Sequence, residues 1–153
     1  MTATMTEQSI ETLEIRKEVE IAASIEVAFQ AMLDELGPES RMEDGKPMPM
    51  KLEAWPGGRW YRDLGNNAGH LWGHVQVIKP PKLLEIYGPL PMSYPVVNHL
   101  QYRFTAEGTS TRLTLTHKSF GLIPPEHRDG MPRGWEFFLK RIRENAEKRG
   151  KKH

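Results

Sequence analysis

The chain has 153 residues, a formal net charge of +1, and 27% charged against 38% hydrophobic residues. That length suits one globular domain with a substantial core, and the near-zero charge provides no global field to draw in nucleic acid or an anionic membrane. There is no cysteine, so disulfides, thiolate catalysis, iron–sulfur clusters and Cys-based zinc sites are excluded.

Residues Met1 to Ser9 are polar and lack the apolar core of a signal peptide. They are expected to be disordered. No run approaches the roughly 18 apolar residues that span a membrane, which predicts a cytoplasmic protein. Leu13, Ile15, Val19 and Ile21 alternate with Glu14, Arg16, Glu18 and Glu20, the period of a half-buried strand. Lys17 falls on the apolar side, either snorkelling at a strand end or as a polar group in a cavity. Ser24 has the character of a helix N-cap. Ile25, Ala28, Phe29, Met32, Leu33 and Leu36 form a helical stripe that Gly37-Pro38 ends. Glu39 to Pro49 is a polar connection.

From Met50 the period changes to two. Strands are expected over Met50–Ala54, Arg59–Leu64, His70–Ile78, Lys82–Tyr87, Val96–Ala106 and Thr111–Lys118. Pro56-Gly57-Gly58, Gly65 to Gly69, Pro80-Pro81 and Glu107-Gly108 supply the turns. Gly88 to Pro95 reads as an irregular loop and Phe120 to Gly130 as a connection. A last helix is expected over Met131–Lys148, with Trp135, Phe138, Leu139, Ile142 and Ala146 on one stripe. The basic run Lys148, Arg149, Lys151, Lys152 reads as a solvated tail.

Strand, helix, about six strands, helix, with short turns, implies antiparallel neighbours and a helix laid across the sheet. One domain is expected over 10–148, between the N-terminal 1–9 and a tail at 149–153. The ordered set of segments resembles the START-like (SRPBCC) superfamily. The segments are Glu18-Val19-Glu20-Ile21-Ala22-Ala23-Ser24 leading into Val27-Ala28-Phe29, Pro56-Gly57-Gly58-Arg59-Trp60, Gly73 to Leu83, Thr111 to Phe120 and Gly134-Trp135. Within that superfamily the chain is most similar to the family named after the activator of the heat-shock-protein-90 ATPase, in its bacterial single-domain form. Ser119 stands where that family usually has Gly, and Glu39 to Pro49 matches no part of its pattern. The resemblance implies an α+β helix-grip fold: a curved antiparallel sheet of about six or seven strands around a long C-terminal helix, with a cavity between them. Members bind or process apolar small molecules or act as protein-binding modules, and no universal catalytic motif carries over.

Metal binding and proton transfer are the two chemistries that histidines offer. His70 and His74 lie on one strand, roughly 13 Å apart, too far to clamp one ion. No metal and no cofactor are expected. The strand's faces are ambiguous: Trp72, His74, Gln76 and Ile78 form one set, and Leu71, Gly73, Val75 and Val77 the other. Apolarity favours the second set as core. His117 lies on the apolar face with Leu113 and Leu115, as a hydrogen-bonded core residue or a ligand-orienting group. Tyr102 shares that face as a candidate partner. His99 belongs to the polar set. No nucleophile elbow or phosphate loop is present.

These features predict a binding module whose apolar or aromatic ligand meets Trp60, Tyr102, Phe104, Leu115, His117, Trp135, Phe138, Leu139 and Ile142. The alternatives are a polyketide cyclase or aromatase using His117 or Tyr102, and a chaperone-associated interaction module. An exposed patch of Met48, Met50, Met92 and Tyr94 would mark the latter. No nucleic-acid or membrane partner is expected, and a homodimer is left open.

Overall fold

The structure is a computed structural model and describes residues 1–151. Residues 1–10 are exposed and form no helix or strand. The elements that follow are β1 (Glu11–Ile21), α1 (Ile25–Leu36), β2 (Lys51–Leu52), β3 (Arg59–Gly65), β4 (Ala68–Lys79), β5 (Leu83–Gly88), β6 (Val96–Glu107), β7 (Ser110–Gly121) and α2 (Pro125–Gly150). The strands form one seven-stranded sheet in the order β1-β7-β6-β5-β4-β3-β2. Every pairing is antiparallel. Both helices lie on one side of it, α2 against α1 and β1. This is the helix-grip α+β architecture.

Local chemistry explains most boundaries. Ser24 Oγ accepts the Val27 N–H at 3.3 Å, satisfying one of the orphan donors that open α1. Asn66 and Asn67 have φ of 53° and 62°, the paired positive values that match a two-residue turn to the twist of the β3–β4 hairpin. The strand expected over Met50–Ala54 shrinks to two residues because Glu53 turns back. Its carboxylate accepts the Arg59 backbone N–H and guanidinium, both at 2.8 Å. Gly57 and Gly58 then pair with Val75 of β4. A Cβ on Gly58 would collide with the Glu53 carbonyl, so this fold-back requires glycine there.

α2 starts six residues earlier than its apolar stripe indicates, at Pro125. The connection expected through Gly130 is helical from Pro125 on, and Pro125 in the first turn is pre-set for helical φ. At its other end Arg149 is not a free tail residue. It bonds Asp34 and Glu39, each at 2.8 Å, and ties the end of α2 to α1. Lys152 and His153 lie outside the described residues.

Lys17 sits in the middle of β1, opposite Leu115, and its Nζ reaches Glu136 of α2 at 2.8 Å. It is neither at a strand end nor in the cavity.

Two β-bulges settle the faces of β4, and the answer is neither alternating set. Trp60 pairs with Gly73 but Tyr61 with Leu71, so Trp72 is an extra residue. Val75 pairs with Ile86 but Val77 with Glu85, so a second residue is inserted there. Each insertion reverses which parity faces inward. Inward residues are therefore His70 with Arg62, the bulged Trp72 beside Gly73, then Val75, then Ile78 opposite Leu84. His74 lies on the outer face, stacked on Tyr87.

Candidate functional site

The α2 stripe divides along its length. Its C-terminal half packs solidly: Leu139, Ile142 and Ala146 are buried in the cluster that holds Phe29, Phe104, Leu113 and Leu115. Phe29 meets Phe104 edge-to-face at 5.4 Å. Its N-terminal half, with Met131, Gly134, Trp135 and Phe138, overhangs the sheet and roofs a cavity of about 590 Å³. The volume lies within the range of small-molecule sites.

Five of the nine residues singled out from sequence line this cavity: Trp60, Tyr102, His117, Trp135 and Phe138. Phe104, Leu115, Leu139 and Ile142 do not. They are consumed by the core because α1 covers that end of the sheet and leaves no space under the helix. The aromatic lining forms two groups. Trp60 meets Trp72 at 5.1 Å, Trp135 meets Phe138 at 5.9 Å, and Tyr102 stands edge-on to Trp135 and Phe138 at 6.5 and 6.3 Å. Trp60 is fixed by its indole N–H, which donates to the Leu36 carbonyl at the end of α1 at 2.8 Å.

The remaining wall comes from loops. Ser40, Arg41, Met42, Glu43 and Met48 form one side, and Leu90, Pro91 and Met92 another. Residues 39–49 carry no periodic signal, so only tertiary contact places them. Met48 and Met92 are half-buried in this lining and Met50 is fully buried, so these methionines do not make an exposed patch with Tyr94.

His117 is held by three neighbours, and Tyr102 is not among them. The Trp135 indole N–H donates to His117 Nδ1 at 2.9 Å. Indole is only a donor, so Nδ1 carries the lone pair and Nε2 the proton. Nε2–H donates to Asn98 Oδ1 at 2.7 Å, and Ser119 Oγ also donates to that oxygen and lies 2.9 Å from Nε2. Asn98 Nδ2 in turn donates to the carbonyls of Gly88 and Pro89. One buried chain of bonds thus joins α2, β7, β6 and the loop bearing Leu90 and Met92. Burial pushes the imidazole pKa down to about 4. Asn98 was readable in advance, since the alternation of Leu100, Tyr102 and Phe104 extended one step back brings it inward.

The Tyr102 hydroxyl is different. The residue is fully buried, and its oxygen has no hydrogen-bond partner among the described residues. Burial raises its pKa well above the usual phenol range, so it stays a neutral hydroxyl beneath the cavity lining. Glu35 also borders the space but is committed. Arg141 holds it with two bonds at 2.9 and 3.1 Å, and Asn145 donates to it. Burial nonetheless raises its pKa, outweighing the guanidinium.

At the opposite end of the lining, Arg62 and His70 face each other across β3 and β4. The carboxylates nearest Arg62 in sequence are engaged elsewhere, Asp63 with Lys51 at 3.2 Å and Glu53 with Arg59 at 2.8 Å.

Solved structures share this architecture at low identity. A protein from Rhizobium leguminosarum is 18% identical with a TM-score of 0.71, covering 94% of this chain and 99% of that one. One from Rhizobium loti is 18% identical with a TM-score of 0.67, covering 90% and 99%. A protein of unknown function from Staphylococcus aureus is 15% identical with a TM-score of 0.65, covering 91% and 96%. No curated protein gives a significant sequence match. The family model described as Activator of Hsp90 ATPase homolog 1-like protein matches residues 22–147, from the end of β1 through most of α2. With that match over most of its length, the chain belongs to the Activator of Hsp90 ATPase homolog 1-like family of the START-like superfamily.

Proposed function

We propose that the protein binds an apolar or aromatic small molecule between the sheet and the N-terminal half of α2. The observation that carries this reading is the cavity of about 590 Å³ walled by Trp60, Trp72, Trp135 and Phe138. Apolar burial, at roughly 25 cal/mol per Å², supplies the affinity. Melting temperatures measured across a panel of apolar and aromatic metabolites test it. A ligand present at about 100 times its Kd stabilises by about 2.7 kcal/mol, a rise of roughly 5–10 °C for a chain of this size. A flat response across the panel overturns the reading.

Catalysis through His117 is less well supported. A general base needs a free lone pair near the reacting proton. Here Trp135 occupies Nδ1, and Asn98 and Ser119 engage Nε2–H. The geometry instead favours a structural strut that sets Trp135.

A further inference from the structure

Resting on that reading of the cavity, we propose that the ligand is an amphipathic acid, an apolar body whose oxyanion head is held at the mouth by Arg62 and His70. Three observations converge on it. Arg62 is half-buried and lines the cavity on the same face of β3 as Trp60, and the Trp72 bulge brings the exposed His70 of β4 opposite it. Its near carboxylates are already bonded to Lys51 and Arg59, so among the described residues it makes no ion pair. The charges bordering the space are Arg41, Arg62, Glu35 and Glu43, and Arg141 neutralises Glu35. Two guanidinium groups against one free carboxylate leave the mouth net positive.

The far end of the cavity is marked by Tyr102. Its hydroxyl is buried on β6, three strands from Arg62 on β3, with roughly 14 Å of sheet between those strands. The wall between them is Trp60, Trp72 and Leu90. A molecule with an acidic end and an extended apolar body matches this order of polar mouth and aromatic wall. Guanidinium suits such a head because its planar donors match an oxyanion with two bonds at once.

The test uses two fluorescent probes that differ only in the acidic group, 1-anilinonaphthalene-8-sulfonate and neutral N-phenyl-1-naphthylamine. Each is titrated into the full chain, into Arg62→Gln and into Arg103→Gln, an exposed arginine outside the cavity. Near-ultraviolet circular dichroism verifies that all three are folded. The expected result is sulfonate binding tighter than neutral binding by about tenfold or more, the value of one charge-assisted contact. Arg62→Gln then removes that preference without weakening the neutral probe, and Arg103→Gln keeps it. Equal affinities, or a preference that survives Arg62→Gln, overturn the acidic head while leaving the apolar cavity standing. Binding of neither probe overturns both.

Discussion

Acidification tests the account of His117 quantitatively. The ring is 1% exposed, and burial lowers its pKa from 6.5 to about 4 because a charged imidazole there would lose its water. A proton on Nδ1 would also face the Trp135 N–H. The unfolded chain takes this proton below about pH 6.5 and the folded chain only below about pH 4. Between those values the unfolded state holds more protons, so stability falls as pH falls. Each pH unit in that window costs about 1.4 kcal/mol, hence about 2 kcal/mol by pH 5. Other groups titrate too. Glu35 has a raised pKa and contributes with the opposite sign, while Glu53, Asp63 and Glu136 have lowered pKa values and lose their contributions mainly below the window. His117→Gln shares all of these and lacks only the imidazole. Urea unfolding of both proteins at about pH 7.5 and pH 5 isolates the difference. The wild type is expected to lose about 2 kcal/mol more than the variant on acidification. Equal losses would show that the ring is not held neutral by burial, and the strut assignment would fail with it.

Glu35→Ala leaves the Arg141 guanidinium and Asn145 facing a space that a carboxylate filled. Arg141 keeps 23% of its side chain exposed, so the loss is expected at the low end for a broken buried pair, roughly 3 kcal/mol by urea midpoint. A loss below about 1 kcal/mol would mean that water substitutes for the carboxylate. Gly73→Ala would put a Cβ 2.6 Å from the Tyr87 carbonyl oxygen and 2.9 Å from Ile86 Cγ2. The backbone oxygen of β5 cannot give way, so the expected cost is about 1–3 kcal/mol. A melting temperature unchanged from wild type would contradict the close approach of β4 and β5 beside Trp72.

Much of this protein is set by local rules that operate along the chain. The alternation of Ile15, Val19 and Ile21, the Ser24 cap, the Gly37-Pro38 stop and the Asn66-Asn67 turn each depend on a few neighbouring residues, so all are legible from order alone. The same holds for the stripe of α2, and the ordered segments were enough to indicate the family. What local rules cannot reach is anything decided by insertion or by distance. The bulge at Trp72, invisible as periodicity, determines that His70 faces inward while His74 faces out, and the second bulge turns Ile78 inward. Residues 39–49 acquire their role only because α1 and the sheet leave a gap for them to wall. Asn98 and His117 are 19 residues apart and meet because β6 and β7 pair in one register. The stripe of α2 carries the same periodicity from Trp135 to Ala146, yet one half lines a cavity and the other closes a core. Helical spacing says which side of a helix is apolar. Only the packing of α1 under one end says where that apolar side finds a neighbour, and where it leaves room.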